Sequence, residues 1–371
     1  MDNSKRTDTE LPDVLTILTS LGIELPQRIN QSNIEIRCPF CDDKKHHLRF
    51  SLENEKYYCP RCNASGNILT FYAQMRNISN KEAHKELLSQ EFGAATASIP
   101  RREFEQVKTA PLAPIAQRHA VYLALLNLLS LEADHRQDLL DRGLTEEQIK
   151  QYGFKSMPVG KSYAIPRELI KKGFSLEGIP GFYTDKSGNW KFRCKDSYKG
   201  RTYDANMTGY LIPVLDSYFR IQGFQIRREK GATPKYIWLS SIDLTNGCAA
   251  KSWCHYVGAP LSSGRVKQVL LTEGALKADV INALSGRNVL ALMGVNATSG
   301  LEHAISRLKK SGVEEVLMAF DMDMKTNPNV KRAFKRVHSM LTDKGLRVKT
   351  LTWPEKKGLD DFLLFLTKNP I

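Results

Sequence analysis

The stretch QVLLTEGALKADVINALSG, residues 268–286, decides the fold of the C-terminal third. An apolar run of strand length stops at Glu273-Gly274, and a helical pattern of similar composition follows at once. Outward from it the same unit recurs. VLALMGV (289–295), EVLMAFDMD (315–323) and RVKTLTW (347–353) read as strands, while EHAISRLKKSG (302–312) and VKRAFKRVHSMLTDKG (330–345) read as helices. Strands alternating with helices predict a parallel sheet with crossover helices over residues 265–371.

Acidic side chains stand where such a sheet gathers its ligands, at the carboxyl ends of its strands. Glu273 closes the first run, Asp321 and Asp323 close another, and Asp360 and Asp361 follow a third in KKGLDDFLL (356–364). In an extended Asp-x-Asp both carboxylates project the same way, because side chains alternate with period two. Hard carboxylates converging at one edge suit Mg2+ or Mn2+ completed by phosphate oxygens. Two such ions can activate an attacking hydroxyl and stabilise a leaving oxygen in phosphoryl transfer. Each acid taken singly would read as a helix cap or a solvated turn; their order along the strands favours a metal site.

Upstream, residues 119–264 read as a mixed α+β subdomain. VYLALLNLL (121–129) is helical, Thr145 and Gln148 form a capping box, and short strands such as YLIPVLD (210–216) and RIQGFQIR (220–227) are broken by Gly, Pro and Asn. Residues 93–118 are rich in Ala, Pro and Thr with little periodic hydrophobicity, and read as a linker. In residues 1–92, two short helices (NILTFYAQMRN and KEAHKELLSQ) follow a cysteine-rich hairpin pattern, the second with Ser79 or Asn80 as its N-cap.

That hairpin pattern is Cys38-x2-Cys41, seventeen residues, then Cys59-x2-Cys62. Each knuckle directs two thiolates at one point, and two knuckles complete a closed tetrahedral S4 site, which suits one structural zinc ion. His46 and His47 in the intervening loop could compete as ligands but read as solvated. Arg37, Lys44, Lys45, Arg49, Lys56 and Arg61 alternate with Phe40, Phe50, Tyr57 and Tyr58. Basic and aromatic side chains on a small sheet can hold a single nucleic-acid strand. Arg49, Lys56 and Arg61 are read as contacts of that kind, Phe50 and Tyr58 as core.

The 371 residues carry a net charge of +14, unevenly spread: −1 over 1–92, +8 over 93–264 and +7 over 265–371. A basic surface concentrates polyanions, nucleic acid above all. The first residues, MDNSKRTDTELPDV, hold no apolar core of a signal peptide, and no apolar stretch is long enough to span a bilayer. The expected compartment is a reducing cytoplasm, where seven cysteines serve as metal ligands and buried thiols.

From about residue 34 onward the chain resembles the bacterial replicative (DnaG-type) primases and their relatives on phages and mobile elements. CPFCDDKKHHLRFSLENEKYYCPRCNASGNILTFY (38–72) is similar to their zinc ribbon, with Cys41 where the usual pattern has a histidine. DLLDRGLTEEQIKQYGF (138–154) resembles the stretch around a template- or nucleotide-binding arginine, which falls on Arg142. GYLIPVLDSYFRIQGFQIRREKGATPKYIWLSS (209–241) resembles a basic ridge, implying roles for Arg227 and Lys235, with Lys251 at a further basic position. Glu273–Leu363 is similar to the Toprim domain shared by these primases, topoisomerases and some nucleases. The resemblance implies an acid four residues after Glu273, where this chain has Lys277, with Asp279 two further on; Gly358 and Asp360 align with an Asp-x-Asp. These departures imply a plasmid, phage or mobile-element form, and the end of the chain soon after that motif implies that the family's helicase-binding domain is missing.

The resemblance implies synthesis of short RNA primers on single-stranded DNA from nucleoside triphosphates, in company with a separate replicative helicase. Glu273, Asp321 and Asp323 would be catalytic, and Asp360 a further Mg2+ ligand. Two rivals share parts of this pattern: a Toprim nuclease with water as nucleophile, and a non-catalytic single-strand-binding adaptor.

Overall fold

The computed structural model describes residues 11–26, 29, 33–41, 46–59, 64–89, 109–198, 201–242, 244–293, 300–322, 328–354 and 356–369. The chain divides into two compact units, Met1–Lys108 and Thr109–Ile371.

The first unit is a small antiparallel sheet covered by helices. Helix α1 (Val14–Ser20) is capped by Asp13, whose carboxylate accepts from the Thr16 amide at 3.0 Å. Strands β1 (Asn33–Ile36), β2 (Leu48–Ser51), β3 (Lys56–Tyr58) and β4 (Ser65–Asn67) pair in sequence order. Helices α2 (Ile68–Arg76) and α3 (Asn80–Leu88) follow, α3 opening on the capping box of Ser79 and Glu82. Alternation along the strands sends Ile34, Ile36, Leu48, Phe50 and Tyr57 inward, where Phe50 and Tyr57 meet Phe71 edge-on at 4.9 and 5.2 Å. Phe50 is core, as read from sequence. Tyr58 is not: it is 46% exposed, because its neighbour Tyr57 takes the inward position of β3.

The second unit opens earlier than the expected linker boundary. Helix α4 spans Ile115–Leu126, and Ala113 before it is already buried, its amide bonded to the Gly178 carbonyl at 2.9 Å. Helix α5 (Ala133–Asp141) leads to α6 (Glu146–Tyr152), which starts at the Thr145–Gln148 capping box. After β5 (Lys155–Ser156) and α7 (Ala164–Lys171) come two hairpins, β6 (Phe182–Thr184) with β7 (Trp190–Phe192), and β8 (Asp196–Tyr198) with β9 (Arg201–Tyr203). Strands β10 (Tyr210–Leu215), β11 (Ile221–Arg227) and β12 (Tyr236–Trp238) join β5 in an antiparallel sheet of order β12-β11-β10-β5.

The last part is the expected crossover sheet. Strands β13 (His255–Val257), β14 (Gln268–Glu273), β15 (Val289–Leu292), β16 (Glu315–Met318) and β17 (Arg347–Thr350) lie in the order β13-β15-β14-β16-β17. All pairings are parallel except that of the edge strand β13 with β15. Four helices connect and cover it: α8 (Ala275–Ser285), α9 (Leu301–Lys310), α10 (Pro328–Asp343) and α11 (Leu359–Lys368). Val269, Leu271, Leu290, Val316 and Met318 pack with α9 and α10; Leu270, Val289, Ala291 and Leu317 pack with α8 and α11. Both faces are therefore apolar, as covered parallel sheets require.

The expected division at residue 264 is not a break in packing. Leu139, Ile149, Phe154, Tyr210 and Ile212 share one core with Ala275, Leu276 and Val280 of α8. Among the described residues no helix is long and apolar enough to cross a membrane.

Candidate active site

In the first unit, Cys38, Cys41 and Cys59 bring their sulfurs within 4.8 Å of one another, with Cys41 and Cys59 Sγ 4.0 Å apart. Tetrahedral Zn–S bonds of about 2.3 Å set sulfurs ~3.8 Å apart. The three thiols thus fit a zinc ion; Cys62, the fourth thiol of the pattern, lies outside the described residues. His46 and His47 are exposed and do not join the group. On the outer face of the sheet Arg49 pairs with Glu35 at 2.6 Å across β1–β2 and stands opposite the exposed Tyr58 across β2–β3. Arg61 lies outside the described residues.

In the second unit, Glu273 ends β14, and Gly274 turns the chain into α8 with φ +83°, a backbone suited to glycine. Its amide bonds the Leu292 carbonyl at 2.6 Å, which anchors this turn to β15. Asp321 follows β16, three residues after the strand's last paired residue Met318, and is 8% exposed. Asp360 sits in the first turn of α11, after the N-cap Gly358, where the helix dipole favours a negative charge. It is buried, and its Oδ1 has no hydrogen-bond partner among the described residues. Burial, then the charges of Asp361 and Asp321, raise the Asp360 pKa above the usual carboxylate value, with Lys277 opposing. A buried acceptor of this kind fits a cation. Asp323 lies outside the described residues.

Lys277, in the first turn of α8, joins these acids. Its ammonium donates to Asp321 Oδ1, and Lys357 stands 3.8 Å from Asp321 Oδ2. Burial alone would lower the Lys277 pKa; the bond to Asp321 and the charges of Asp321, Asp360 and Glu273 outweigh it and raise it. Asp279 does not join them. It is buried on another face of α8, bonded to His255.

Beside the acids lies the basic ridge. Arg142, the C-cap of α5, and Arg227, the last residue of β11, converge on Asp138 with Nε–Oδ2 distances of 3.3 and 3.0 Å. The Tyr210 hydroxyl also donates to Asp138, at 2.8 Å. Arg227 Nη1 donates to the Tyr236 hydroxyl at 3.2 Å, and Lys235 Nζ stands 5.7 Å from the Tyr236 ring. Burial alone would raise the Asp138 pKa; Tyr210 and the two arginines bring it down to about 2 instead. Burial and the charges of Arg227 and Arg142 lower the Lys235 pKa, with Lys277 contributing, so the ridge is within electrostatic reach of the lysine that bonds Asp321. Three cations around one carboxylate leave a net positive, partly desolvated site for an anion.

Lys251 is placed elsewhere. It lines a cavity of about 940 Å³ together with Arg118, Arg220, Arg307, Tyr218 and Trp253. Arg307 lies 3.8 Å from the Tyr218 ring centroid and Arg118 4.9 Å from that of Trp253. The sequence reading missed Asp138, Tyr210 and Lys357. Asp138 had a signal, since it precedes Arg142 by four residues on one helix face. Tyr210 had none, because its contact spans 72 residues of chain.

Residues 11–99 match the CHC2 zinc finger family, and residues 265–369 match a family described as a domain of unknown function (DUF3854). A DNA primase of Staphylococcus aureus (strain MW2) is 25% identical over 334 residues, covering 88% of this chain and 51% of the relative. One from Pseudomonas aeruginosa is 26% identical over 341 residues, covering 89% and 48%. The zinc-binding and RNA polymerase domains of the Aquifex aeolicus primase share the fold with a TM-score of 0.51 at 19% identity, over 98% of this chain and 83% of that one. The chain is thus similar to bacterial DNA primases over most of its length, with a zinc ribbon and a mixed α/β core. It spans about half the length of the curated relatives it matches.

Proposed function

We propose that the chain is a DNA primase that makes short RNA primers on single-stranded DNA by metal-dependent nucleotidyl transfer. The observation that carries this reading is a pair of opposite sites joined through Lys277: buried Asp321 and Asp360 with Glu273 at one sheet edge, where Lys277 bonds Asp321, and the ridge of Arg142, Arg227 and Lys235, whose Lys235 is within charge reach of Lys277. Nucleotidyl transfer needs both, a cation site under the reacting phosphate and fixed positive charge for the remaining phosphates and the template.

In this reading Glu273, Asp321, Asp323 and Asp360 hold Mg2+ or Mn2+, which when bound polarises the α-phosphate. Arg142, Arg227 and Lys235 hold triphosphate and template phosphates; Lys251 meets nucleic acid at its own cavity. The primer 3′-oxygen forms a bond to the α-phosphorus as the bond to the pyrophosphate oxygen breaks. The hydroxyl proton passes to Glu273 or to water, and pyrophosphate leaves with the electron pair. Arg49 and Arg61 of the zinc ribbon contact single-stranded template, with the exposed Tyr58 beside Arg49 offering a stacking face. The expected partner is a separate replicative helicase, and the expected setting a reducing cytoplasm that keeps the cysteines available to zinc.

The test is primer synthesis on single-stranded DNA with labelled nucleotides and Mg2+ or Mn2+, comparing the wild type with Asp321→Ala. The reading expects products from the wild type, a loss of at least ~100-fold in the variant, and unchanged DNA binding, since binding rests on phosphate contacts. Template cleavage in place of synthesis would mark a nuclease. Tight binding with neither product would mark an adaptor.

A further inference from the structure

The Lys277–Asp321 ion pair puts a fixed positive charge inside the acid cluster. Its ammonium donates to Asp321 Oδ1 and lies within charge reach of Glu273 and Asp360. The side chain is 27% exposed and that of Asp321 11%, so water screens the pair only partly. Two-metal phosphoryl-transfer sites set the charge of two divalent cations against the negative phosphates and carboxylates. An acid at position 277 would carry one negative charge where lysine carries one positive. The difference, two charges, is that of one divalent ion.

We infer that Lys277 stands in place of one of the two divalent cations, so that the acid cluster holds a single Mg2+ or Mn2+ and the tethered ammonium serves as the second positive centre. The inference rests on the nucleotidyl-transfer reading above. Asp360, with its buried and unbonded Oδ1, and Glu273 at the end of β14 are left to the single ion, with Asp323 as in the reading above, while Asp321 is shared between that ion and Lys277. An ammonium suits this task. It offers three donors to phosphate oxygens, is not lost by dissociation, and needs no octahedral ligand set. It neutralises charge gathering on the pyrophosphate as the bond to the α-phosphorus breaks, and no proton need leave it.

The test is a count of bound Mn2+ on the zinc-loaded full chain without nucleotide, read from the free-ion electron paramagnetic resonance signal. The expected result is one Mn2+ for the wild type and two for Lys277→Glu. Lys277→Met, neutral and of similar length, should stay at one and bind it ~5–10-fold more tightly, because the competing charge is gone. Circular dichroism melts establish that each variant is folded; should Lys277→Glu fail to fold, the affinity of Lys277→Met decides. Two ions on the wild type, one ion on folded Lys277→Glu, or unchanged affinity in Lys277→Met would each overturn the inference. The change from one ion to two without primer synthesis by the wild type would overturn the polymerase reading alone. Primer synthesis by a wild type holding two ions would overturn the role of Lys277 alone.

Discussion

Asp279 Oδ1 lies 2.9 Å from His255 Nε2, with both side chains almost wholly buried. The other ring nitrogen, Nδ1, accepts from the Leu215 amide at 3.0 Å, so the ring proton sits on Nε2 and is donated to Asp279. One hydrogen-bonded chain thus ties α8 to β13 and to the end of β10. It also settles why Asp279, two residues past Lys277, does not supply the acid that position 277 lacks. Residues two apart on a helix point to different faces.

Removing the Asp279 carboxylate should cost stability and leave the metal site alone. Asp279→Ala strands a buried imidazole donor, at a cost of ~3 kcal/mol. For a unit of this size the melting temperature should fall by about 6–10 °C. Calorimetry checks the first expectation, and an unchanged Mn2+ affinity the second.

The thiol cluster should hold zinc and the first unit should depend on it. Cys38→Ser or Cys59→Ser should reduce bound zinc from about one ion per chain to a small fraction. Metal analysis measures the content, and limited proteolysis should show faster cleavage within residues 1–108 only. Retention of a full zinc equivalent by both variants would remove these cysteines from the ligand set.

Asp138 should set the acid limb of stability for the ridge. Its folded pKa is depressed to about 2, so its contribution is present above the ordinary aspartate value and fades as pH falls from about 4 toward 2. A drop of that size corresponds to ~2.5 kcal/mol for a buried group. With the Asp138 side chain 36% exposed, screening reduces this to ~1 kcal/mol. Urea melts between pH 2 and 5 should show a shallower pH dependence in Asp138→Asn than in the wild type.

Arg227 should contribute directly to nucleic-acid affinity. Arg227→Ala should weaken single-stranded DNA binding and lower the slope of log affinity against log salt by about 1. A salt titration by fluorescence anisotropy measures both. A weaker affinity with an unchanged slope would mean that Arg227 supports Tyr236 and Asp138 without meeting phosphate.

Gly209 gives that ridge its backbone. It has φ +101°, and a Cβ there would stand 2.0 Å from the Arg227 carbonyl oxygen. Gly209→Ala should therefore cost ~2–3 kcal/mol and displace Arg227, through both strain and contact. Reduced thermal stability together with reduced DNA affinity is the expected pair of results.

What could be read along the chain was local in origin. Runs such as QVLLTE and EVLM are strands because their apolar residues match the length and two-sided burial of a covered parallel strand. Cys38, Cys41 and Cys59 converge because a knuckle's spacing already aims two thiols at one point. The capping boxes at Ser79 and Thr145 need only four residues each. Other features depend on contacts between distant segments. Asp138 acquires Arg227 and Tyr210 across 89 and 72 residues. Lys251 departs from the other three ridge cations and lies in the wall of a cavity that Arg118 and Arg307, distant in sequence, line with it. Lys277 and Asp279, almost adjacent in sequence, have opposite fates. Helix geometry turns one toward Asp321 and the other toward His255, and only the packing of α8 against β13 and β14 decides which charge meets the acids and which is buried away from them.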